Sequence, residues 1–248
     1  MKALITGATS GIGLDMAQKL SIMGYELILV GRNTDKISEN DFNTNVKIIN
    51  LDLSKIENCY KLYEETKNED IDVFINNAGF GVFGNFTETS LDKELEMINT
   101  NVTAVHVLMK LFLQDMVKKN KGYILNTASA AAFTYGPLMS TYYATKSYVY
   151  KLTLSIYEEL KRKNSNVVVS CLTPGPVDTN FNNAANVTFS VKSLKSDYVA
   201  DYALKKMFKK KLLIVPGIQM KLARVFVNLI PVKLALKLSY GIQKRKKN

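Results

Sequence analysis

Short apolar segments alternate with longer amphipathic segments along most of the chain. The apolar segments have the length of strands and lie at residues 2–6, 25–30, 46–50, 71–76, 121–128, 166–172 and 211–216. Helices are predicted between them at residues 11–23, 33–42, 54–68, 90–119, 141–163 and 197–209. Such alternation is typical of a parallel sheet covered by helices on both faces. We therefore predict one doubly wound α/β domain over residues 1–217 and a helical tail over residues 218–248.

The first predicted strand runs directly into a glycine-rich turn that precedes a helix, Thr6-Gly7-Ala8-Thr9-Ser10-Gly11-Ile12-Gly13. Glycines let the backbone turn tightly and approach a pyrophosphate, whose charge is favoured by the helix N-terminus. Such a turn alone is weak evidence, but its place between a first strand and a helix indicates a dinucleotide cofactor. We expect the cofactor to contact Gly7, Thr9, Ser10, Gly11, Ile12 and Gly13.

Arg32 stands at the end of the second predicted strand, about 20 residues after the turn, where NAD-binding folds carry an acid for the ribose 2′-hydroxyl. Residues 30–34 contain no acid. A guanidinium can instead bind a 2′-phosphate through charge-assisted hydrogen bonds. A solvated surface arginine is the alternative interpretation. The sequence therefore favours NADP(H) over NAD(H).

Tyr142 and Lys146 are four residues apart in a predicted helix, so their side chains lie on one face, one turn from each other. A nearby ammonium favours the ionised form of a phenol, and such a pair can pass a proton. The same spacing is common on solvated helices, so it indicates chemistry only with other motifs. Tyr143 has Ser147 at the corresponding position and is predicted to play no such part.

These motifs, taken in order, resemble those of single-domain short-chain dehydrogenases/reductases of about 250 residues. The resemblance covers roughly residues 3–217. It rests on the glycine-rich turn, Asp52, Asn76-Asn77-Ala78-Gly79, Asn101, Ser129, Tyr142 with Lys146, Pro174-Gly175 and Thr179. The spacing from Ser129 to Tyr142 also matches the family. The resemblance implies a Rossmann-type fold and the interconversion of a carbonyl compound and an alcohol by hydride transfer.

The resemblance also assigns roles to individual residues. Tyr142 is the expected acid/base, Ser129 positions the substrate oxygen, and Lys146 lowers the pKa of Tyr142 and binds the nicotinamide ribose. Asn101 is expected to bind a water molecule in a proton relay. Further cofactor contacts are expected from Asp52, Leu53, Asn77, Ala78, Gly79, Pro174, Gly175, Val177 and Thr179. A mobile lid is expected between Thr179 and Asp197, and a homodimer or homotetramer through the helices at 90–119 and 141–163.

Other interpretations of these residues were considered beside the family resemblance. Without the resemblance, Asp52 is a helix-capping residue and Asn76–Gly79 a turn. A catalytically idle NADP(H)-binding protein is the main alternative, although it would not need all four catalytic residues. Sugar-nucleotide epimerisation is less consistent with the short chain and the glycine spacing. The sole histidine, His106, has no ligand partner at metal spacing, so no metal is expected.

The positive charge is confined to the end of the chain. Residues 205–248 contain 13 lysines and arginines and no acid, whereas residues 1–204 contain 20 basic and 22 acidic residues. Two tail helices are predicted at residues 218–229 and 232–242. They either pack on the domain with a solvated basic end at 244–247, or form a basic amphipathic anchor for an anionic membrane. The single sign of charge slightly favours the membrane, and no nucleic-acid-binding module is recognisable.

Two cysteines, Cys59 and Cys171, give no disulfide framework, which suits a reducing compartment. The first strand begins at once, so we expect no signal peptide, and no run of about 18 apolar residues predicts a spanning helix. We therefore expect a cytoplasmic protein that can bind the inner face of a membrane peripherally. The sequence does not indicate which carbonyl compound it uses.

Overall fold

The central sheet has seven parallel strands within the part of the chain described by the computed structural model, residues 1–179, 193–227 and 229–244. Its strands are β1 (Lys2–Thr6), β2 (Glu26–Gly31), β3 (Val46–Asn50), β4 (Ile71–Asn76), β5 (Tyr123–Thr127), β6 (Val168–Leu172) and, after a small separate pair, β9 (Leu213–Ile214). The separate pair is formed by β7 (Val177–Asp178) and β8 (Leu194–Lys195). This sheet confirms the predicted doubly wound α/β fold.

The order of the strands locates the crevice in which a ligand can bind. Across the sheet they run β3-β2-β1-β4-β5-β6-β9, so the chain reverses its direction of growth between β1 and β4. In open parallel sheets, ligands bind beyond the carboxyl ends of the strands at such a reversal. The glycine-rich turn follows β1 and Asn77 follows β4, so both motifs lie at this point.

The helices match most of the predicted segments, with their bounds given by the structure. They are α1 (Gly11–Ile22), α2 (Ile56–Thr66), α3 (Leu91–Ile98), α4 (Val105–Lys119), α5 (Ser140–Arg162), α6 (Ser196–Phe208), α7 (Ile218–Val227) and α8 (Val232–Lys244). The helix predicted at residues 33–42 is wrong, whereas the helix predicted at residues 90–119 is confirmed, with a π-helical turn inside it.

In place of the first of these helices the chain forms two short 3₁₀ turns, Thr34–Lys36 and Glu39–Asp41. Ser38 separates them in an extended conformation, and its hydroxyl accepts a hydrogen bond from the backbone N–H of Asn40. Serine side chains compete with helical hydrogen bonds in this way. Burial of Ile37 and Phe42 against the core then sets the path of the segment.

The second helix is interrupted by a π-helical turn over Asn99–Ala104, between α3 and α4. The π turn contains Asn101, whose side chain binds the backbone of the loop after β4 rather than its own helix. Turns of this type are frequent at functional sites. Here the turn brings a buried amide from the helix to the edge of the crevice.

The core consists of two layers, one on each face of the sheet. Alternating residues of β1 point to opposite sides, with Ala3 and Ile5 in one cluster and Leu4 in the other. The first cluster packs against α1 and α6, and the second against α2 and α4. Because both faces are covered, the strands are apolar along their length, which explains why they were recognisable in the sequence.

Candidate active site

A cavity of about 590 Å³ lies at the carboxyl ends of the strands, at the reversal between β1 and β4. One wall is formed by the glycine-rich turn and the loops after β2 and β3. The opposite wall is formed by the loops after β5 and β6 and by the start of α5. The helices α7 and α8 close the remaining side. A cavity of this volume lies in the range of small-molecule and cofactor sites.

The glycine-rich turn makes a close cradle for a phosphate group. Gly7 has a φ of +65°, and a Cβ added to it would lie 2.8 Å from the Cα of Ala78. A Cβ on Gly13 would lie 2.2 Å from the carbonyl oxygen of Gly7. Ser10, the N-cap of α1, makes no side-chain cap hydrogen bond, so its helix start retains unsatisfied N–H groups. These features fit the diphosphate of a dinucleotide, which needs close backbone approach and exposed N–H donors.

Arg32 lies at the end of the cavity formed by β2 and β3, as predicted, but its guanidinium is already engaged. Its Nη1 lies 2.5 Å from Oε1 of Glu96, and its Cζ lies 5.9 Å from the centre of the Phe80 ring. The side chain is half exposed. Lys36 lines the same end of the cavity. An incoming anionic group would therefore meet two cations, one of which is partly neutralised by Glu96.

Asp52 lies beside Arg32 and is held in its ionised form. Its Oδ1 accepts a hydrogen bond from the backbone N–H of Ser54 at 3.0 Å. Burial acts to raise the pKa of Asp52, but the hydrogen bonds from Ser54 and the charge of Arg32 outweigh it, so the pKa lies below its ordinary value. A carboxylate in this position accepts hydrogen bonds, which is the role expected of a residue that contacts adenine.

Tyr142 lies in the opposite wall, with its hydroxyl hydrogen-bonded to Ser129. The tyrosine comes from the first turns of α5, and Ser129 from the loop after β5, so two elements fix the pair. Tyr142 is buried, and burial raises its pKa above the ordinary value, while the hydrogen bond from Ser129 lowers it in part. At neutral pH the phenol therefore holds its proton and can donate it.

Lys146 follows Tyr142 by one turn of α5 and is also buried. Its Nζ donates a 3.0 Å hydrogen bond to the carbonyl oxygen of Thr127 and lies 5.9 Å from the centre of the Tyr142 ring. Burial lowers the pKa of Lys146 to about 8. Burial raises the pKa of Tyr142, and the lowering expected from Lys146 stays a prediction.

Asn101 supports the site from behind the cavity wall. Its Oδ1 accepts from the backbone N–H of Phe80 at 3.1 Å, and its Nδ2 donates to the carbonyl oxygen of Phe80 at 2.9 Å. The same Nδ2 lies 3.1 Å from Oγ1 of Thr145. A Cβ on Gly79 would lie 2.8 Å from Oδ1 of Asn101 and 3.1 Å from Nζ of Lys146. The amide therefore holds the loop after β4 against α5, beside the lysine.

The structure brings the residues expected at the site together around one cavity. All of the expected cofactor and catalytic residues line it except Gly13 and Asn101, which lie directly behind its wall. Thr179 closes over the glycine-rich turn, since a Cβ on Gly11 would lie 2.8 Å from its Cγ2. Of the lid expected between Thr179 and Asp197, residues 180–192 lie outside the described residues, as does the basic end at 245–247.

Sequence reasoning missed the contribution of the tail to the site. Seven tail residues line the cavity, namely Met220, Ala223, Arg224, Val227, Ser239, Ile242 and Gln243. Tyr143, which was predicted not to act as the proton donor, lines the cavity as well and accepts a hydrogen bond from Nε2 of Gln243. The sequence contains a signal of this contribution, because α7 carries apolar residues on two opposite faces. A helix that only covered the domain would need a single apolar face.

Within residues 1–179, 193–227 and 229–244, no group of three His, Cys, Asp or Glu side chains is placed to hold a metal ion. His106 lies outside the cavity lining and pairs through Nδ1 with the hydroxyl of Tyr148 at 2.7 Å. The histidine is therefore a hydrogen-bonded surface residue.

Comparisons with known proteins identify the family of the chain. The family described as short chain dehydrogenase matches residues 1–188. An uncharacterized oxidoreductase of Staphylococcus epidermidis is 31% identical over 209 residues, which cover 82% of this chain and 90% of that protein. Human 17-beta-hydroxysteroid dehydrogenase type 3 is 30% identical over 199 residues, covering 77% of this chain and 64% of the human protein.

A solved structure with a similar fold also contains a dinucleotide. It is a short-chain dehydrogenase from Sphingobium yanoikuyae in complex with NADPH. The two structures superimpose with a TM-score of 0.82 and 25% sequence identity, and the match covers 88% of each chain.

Proposed function

The chain belongs to the short-chain dehydrogenase/reductase family of oxidoreductases, and on that premise we propose that it interconverts a carbonyl compound and its alcohol with NADP(H). The observation that carries the proposal is the buried Tyr142 with its hydroxyl bonded to Ser129, in a cavity that also contains the glycine-rich cradle. A proton donor and a phosphate site in one cleft are what such a reaction requires.

In the reductive direction, Tyr142 donates its proton to the substrate oxygen as negative charge develops there. The hydroxyl of Ser129 forms hydrogen bonds both to this substrate oxygen and to the hydroxyl of Tyr142. The nicotinamide, when bound, supplies the hydride. Lys146 lies one turn after the tyrosine on α5 and has a pKa of about 8, near neutrality. As the phenolate forms, the lysine can stabilise it by its positive charge or return a proton to it. Asn101 holds the loop after β4 against α5, beside Lys146. We include in the proposal a relay water bound to Asn101.

The preference for NADP(H) is supported by the cations at the β2 end of the cavity. Arg32 and Lys36 line that end, and no acid follows β2 over residues 30–34. A 2′-phosphate would compete with Glu96 for the guanidinium of Arg32. It would be the stronger partner, because it can accept two parallel hydrogen bonds from the guanidinium. The similar protein from Sphingobium yanoikuyae binds NADPH.

For the substrate we propose an apolar ketone or the matching secondary alcohol. The wall opposite the cofactor cradle is apolar, with Phe133 and Met139 from the domain and Met220, Val227 and Ile242 from the tail. The tail also contributes three polar side chains to the cavity, those of Arg224, Ser239 and Gln243. The human relative is a hydroxysteroid dehydrogenase. A hydroxysteroid is an apolar secondary alcohol, which such a wall would suit.

The proposal is tested by NADPH oxidation against a panel of carbonyl compounds that spans sugars, ketoacids, acyl chains, steroids and aromatic aldehydes. We expect turnover with apolar ketones and little with sugars or ketoacids. A chain that binds NADPH but reduces no member of the panel, and oxidises none of the matching alcohols, would contradict the proposed activity. The chain would then be the idle cofactor-binding protein of the alternative hypothesis.

Assembly and location stay predictions. The family resemblance implies a homodimer or homotetramer through α4 and α5, and the composition suits a cytoplasmic protein. Light scattering on the purified chain would give the number of subunits.

A further inference from the structure

The tail helix α7 is apolar on two opposite faces. One face, with Met220, Ala223 and Val227, lines the cavity. The other face carries side chains that are between 54% and 74% exposed, namely Ile218, Leu222, Val225, Phe226 and, just beyond the helix, Leu229. Their spacing of four, three, one and three residues forms one continuous stripe on a helix. A stripe of this kind indicates a surface that meets another apolar phase.

The following helix, α8, extends this outer surface and adds positively charged side chains to it. Its inner face contains Ala235, Ser239 and Gln243. Lys233, Lys237 and Lys244 are exposed and fall on the opposite face, by their spacing of four and seven residues. The exposed Leu234 and Leu238 flank the lysines on one side. The outer surface of the tail therefore combines leucines with lysines.

The charge of the tail selects the occupant of this surface. Residues 218–248 contain eight basic residues and no acid. A second copy of the tail would bring like charges together, which is unfavourable. Nucleic acid would satisfy the lysines but leave the apolar stripe of α7 in water. A bilayer with anionic lipid satisfies both, because headgroups meet the lysines and the acyl boundary accepts the apolar side chains.

We propose that the outer faces of α7 and α8 dock the protein peripherally on an anionic membrane surface. No helix in the described parts of the chain is long and apolar enough to cross a bilayer. The inner faces of the same helices form a wall of the cavity, so docking places the substrate end of the cavity beside the lipid. Docking does not depend on the proposed reaction, and its test requires no substrate.

The experiment is co-sedimentation of the full-length protein with vesicles. We expect binding to vesicles of phosphatidylcholine mixed with phosphatidylglycerol at low salt, weaker binding at high salt, and little binding to pure phosphatidylcholine. A protein that stays in the supernatant with the mixed vesicles at low salt overturns the proposal. Equal binding to both kinds of vesicle overturns the electrostatic part of it.

Two variants separate the contributions of charge and of apolar contact. Lys233→Glu with Lys237→Glu should weaken binding by at least about 10-fold at low salt, since each lysine near an anionic leaflet contributes to affinity. Leu222→Ser with Phe226→Ser should weaken binding comparably and also reduce what remains at high salt. None of these four residues lines the cavity, so NADPH fluorescence on binding should not change.

Matched controls alter the same residue types elsewhere. Lys61→Glu with Lys67→Glu makes the same change in net charge on α2 and just after it, and Ile22→Ser with Leu91→Ser removes two exposed apolar side chains from the domain. Both controls should bind vesicles like the wild type. If the controls lose as much binding as the tail variants, the attraction is general and the proposed surface is wrong. If Leu222→Ser with Phe226→Ser dissociates an oligomer in light scattering while vesicle binding is unchanged, the surface joins copies of the chain and the proposal fails.

Discussion

The side chain of Gln243 donates a hydrogen bond through Nε2 to the phenolic oxygen of Tyr143, across 100 residues of sequence. Tyr143 in turn packs edge-on against the neighbouring Tyr142, with ring centres 6.0 Å apart. The last described helix is therefore tied to the helix that carries the proposed proton donor. This contact makes the tail part of the cavity wall, so the inner faces of its helices pack on the domain. The proposed membrane docking concerns only their outer faces.

Tyr142→Phe should reduce turnover by at least about 100-fold, because it removes the proposed proton donor. Cofactor binding should persist, since one hydroxyl is lost from a large contact surface. Initial rates and NADPH fluorescence measure the two effects separately. Tyr143→Phe is the matched control and should be much milder. If Tyr143→Phe is the inactive variant, the assignment of the catalytic residues is wrong.

Arg32→Asp should shift the preference from NADPH towards NADH, because it removes the partner of the 2′-phosphate and adds repulsion. Paired titrations with the two cofactors measure the ratio of kcat/KM. Glu96→Gln is a useful companion, since it frees Arg32 from its ion pair and should lower the KM for NADPH but leave that for NADH unchanged. A wild-type protein that already prefers NADH would rule out the proposed preference.

Lys146→Met should abolish turnover yet raise the free energy of unfolding at pH 7 by about 2 kcal/mol. Burial lowers the folded-state pKa of Lys146 from 10.5 to about 8, so folding disfavours the charged form. That penalty is present below about pH 8 and disappears as the pH rises towards 10.5, while loss of the hydrogen bond to Thr127 offsets part of the gain. Denaturant titrations at pH 7 and pH 10 should show the advantage of the variant shrinking. An advantage that grows with pH would contradict the stated cause.

Gln243→Leu should raise the KM for the carbonyl substrate but leave NADPH binding unchanged, because Gln243 belongs to the substrate end of the cavity. The variant also leaves the hydroxyl of Tyr143 without its donor, which should cost about 1 kcal/mol of unfolding free energy. Steady-state kinetics and thermal denaturation measure the two effects. Gln219→Leu, an exposed glutamine on α7, is the matched control and should change neither quantity. Equal effects of both substitutions would argue against a role for Gln243 in the site.

Truncation after Gly217 is a poor test of the tail, because it would remove the wall of the cavity along with the outer surface. Met220 fits against Gly175, where a Cβ would lie 2.8 Å from its Cγ, and Arg224 stacks over Phe133 at 5.7 Å. A truncated chain would expose these apolar contacts to water. Substitutions on the outer faces are therefore the informative changes.

Local sequence patterns determined the fold and most of the candidate site. Each strand is a short apolar run, and most of the predicted motifs follow a strand directly, where the topology of a parallel sheet brings such ends together. Tyr142 and Lys146 were recognisable because helical spacing alone places them on one face. The glycine-rich turn was recognisable because only glycine tolerates the backbone conformation and close contacts seen at Gly7 and Gly13.

Only the tertiary structure decided features that depend on residues far apart in sequence. Arg32 meets Glu96 across 64 residues, so the sequence showed a free cation where the fold has an ion pair. The π turn at Asn101 depends on the backbone of Phe80, and the pKa of Lys146 depends on burial by several elements. Periodicity showed that α7 and α8 are amphipathic, but not which face packs inward. Hydrophobic burial has no direction of its own, so the assignment of one face to the cavity and the other to solvent required the packed domain.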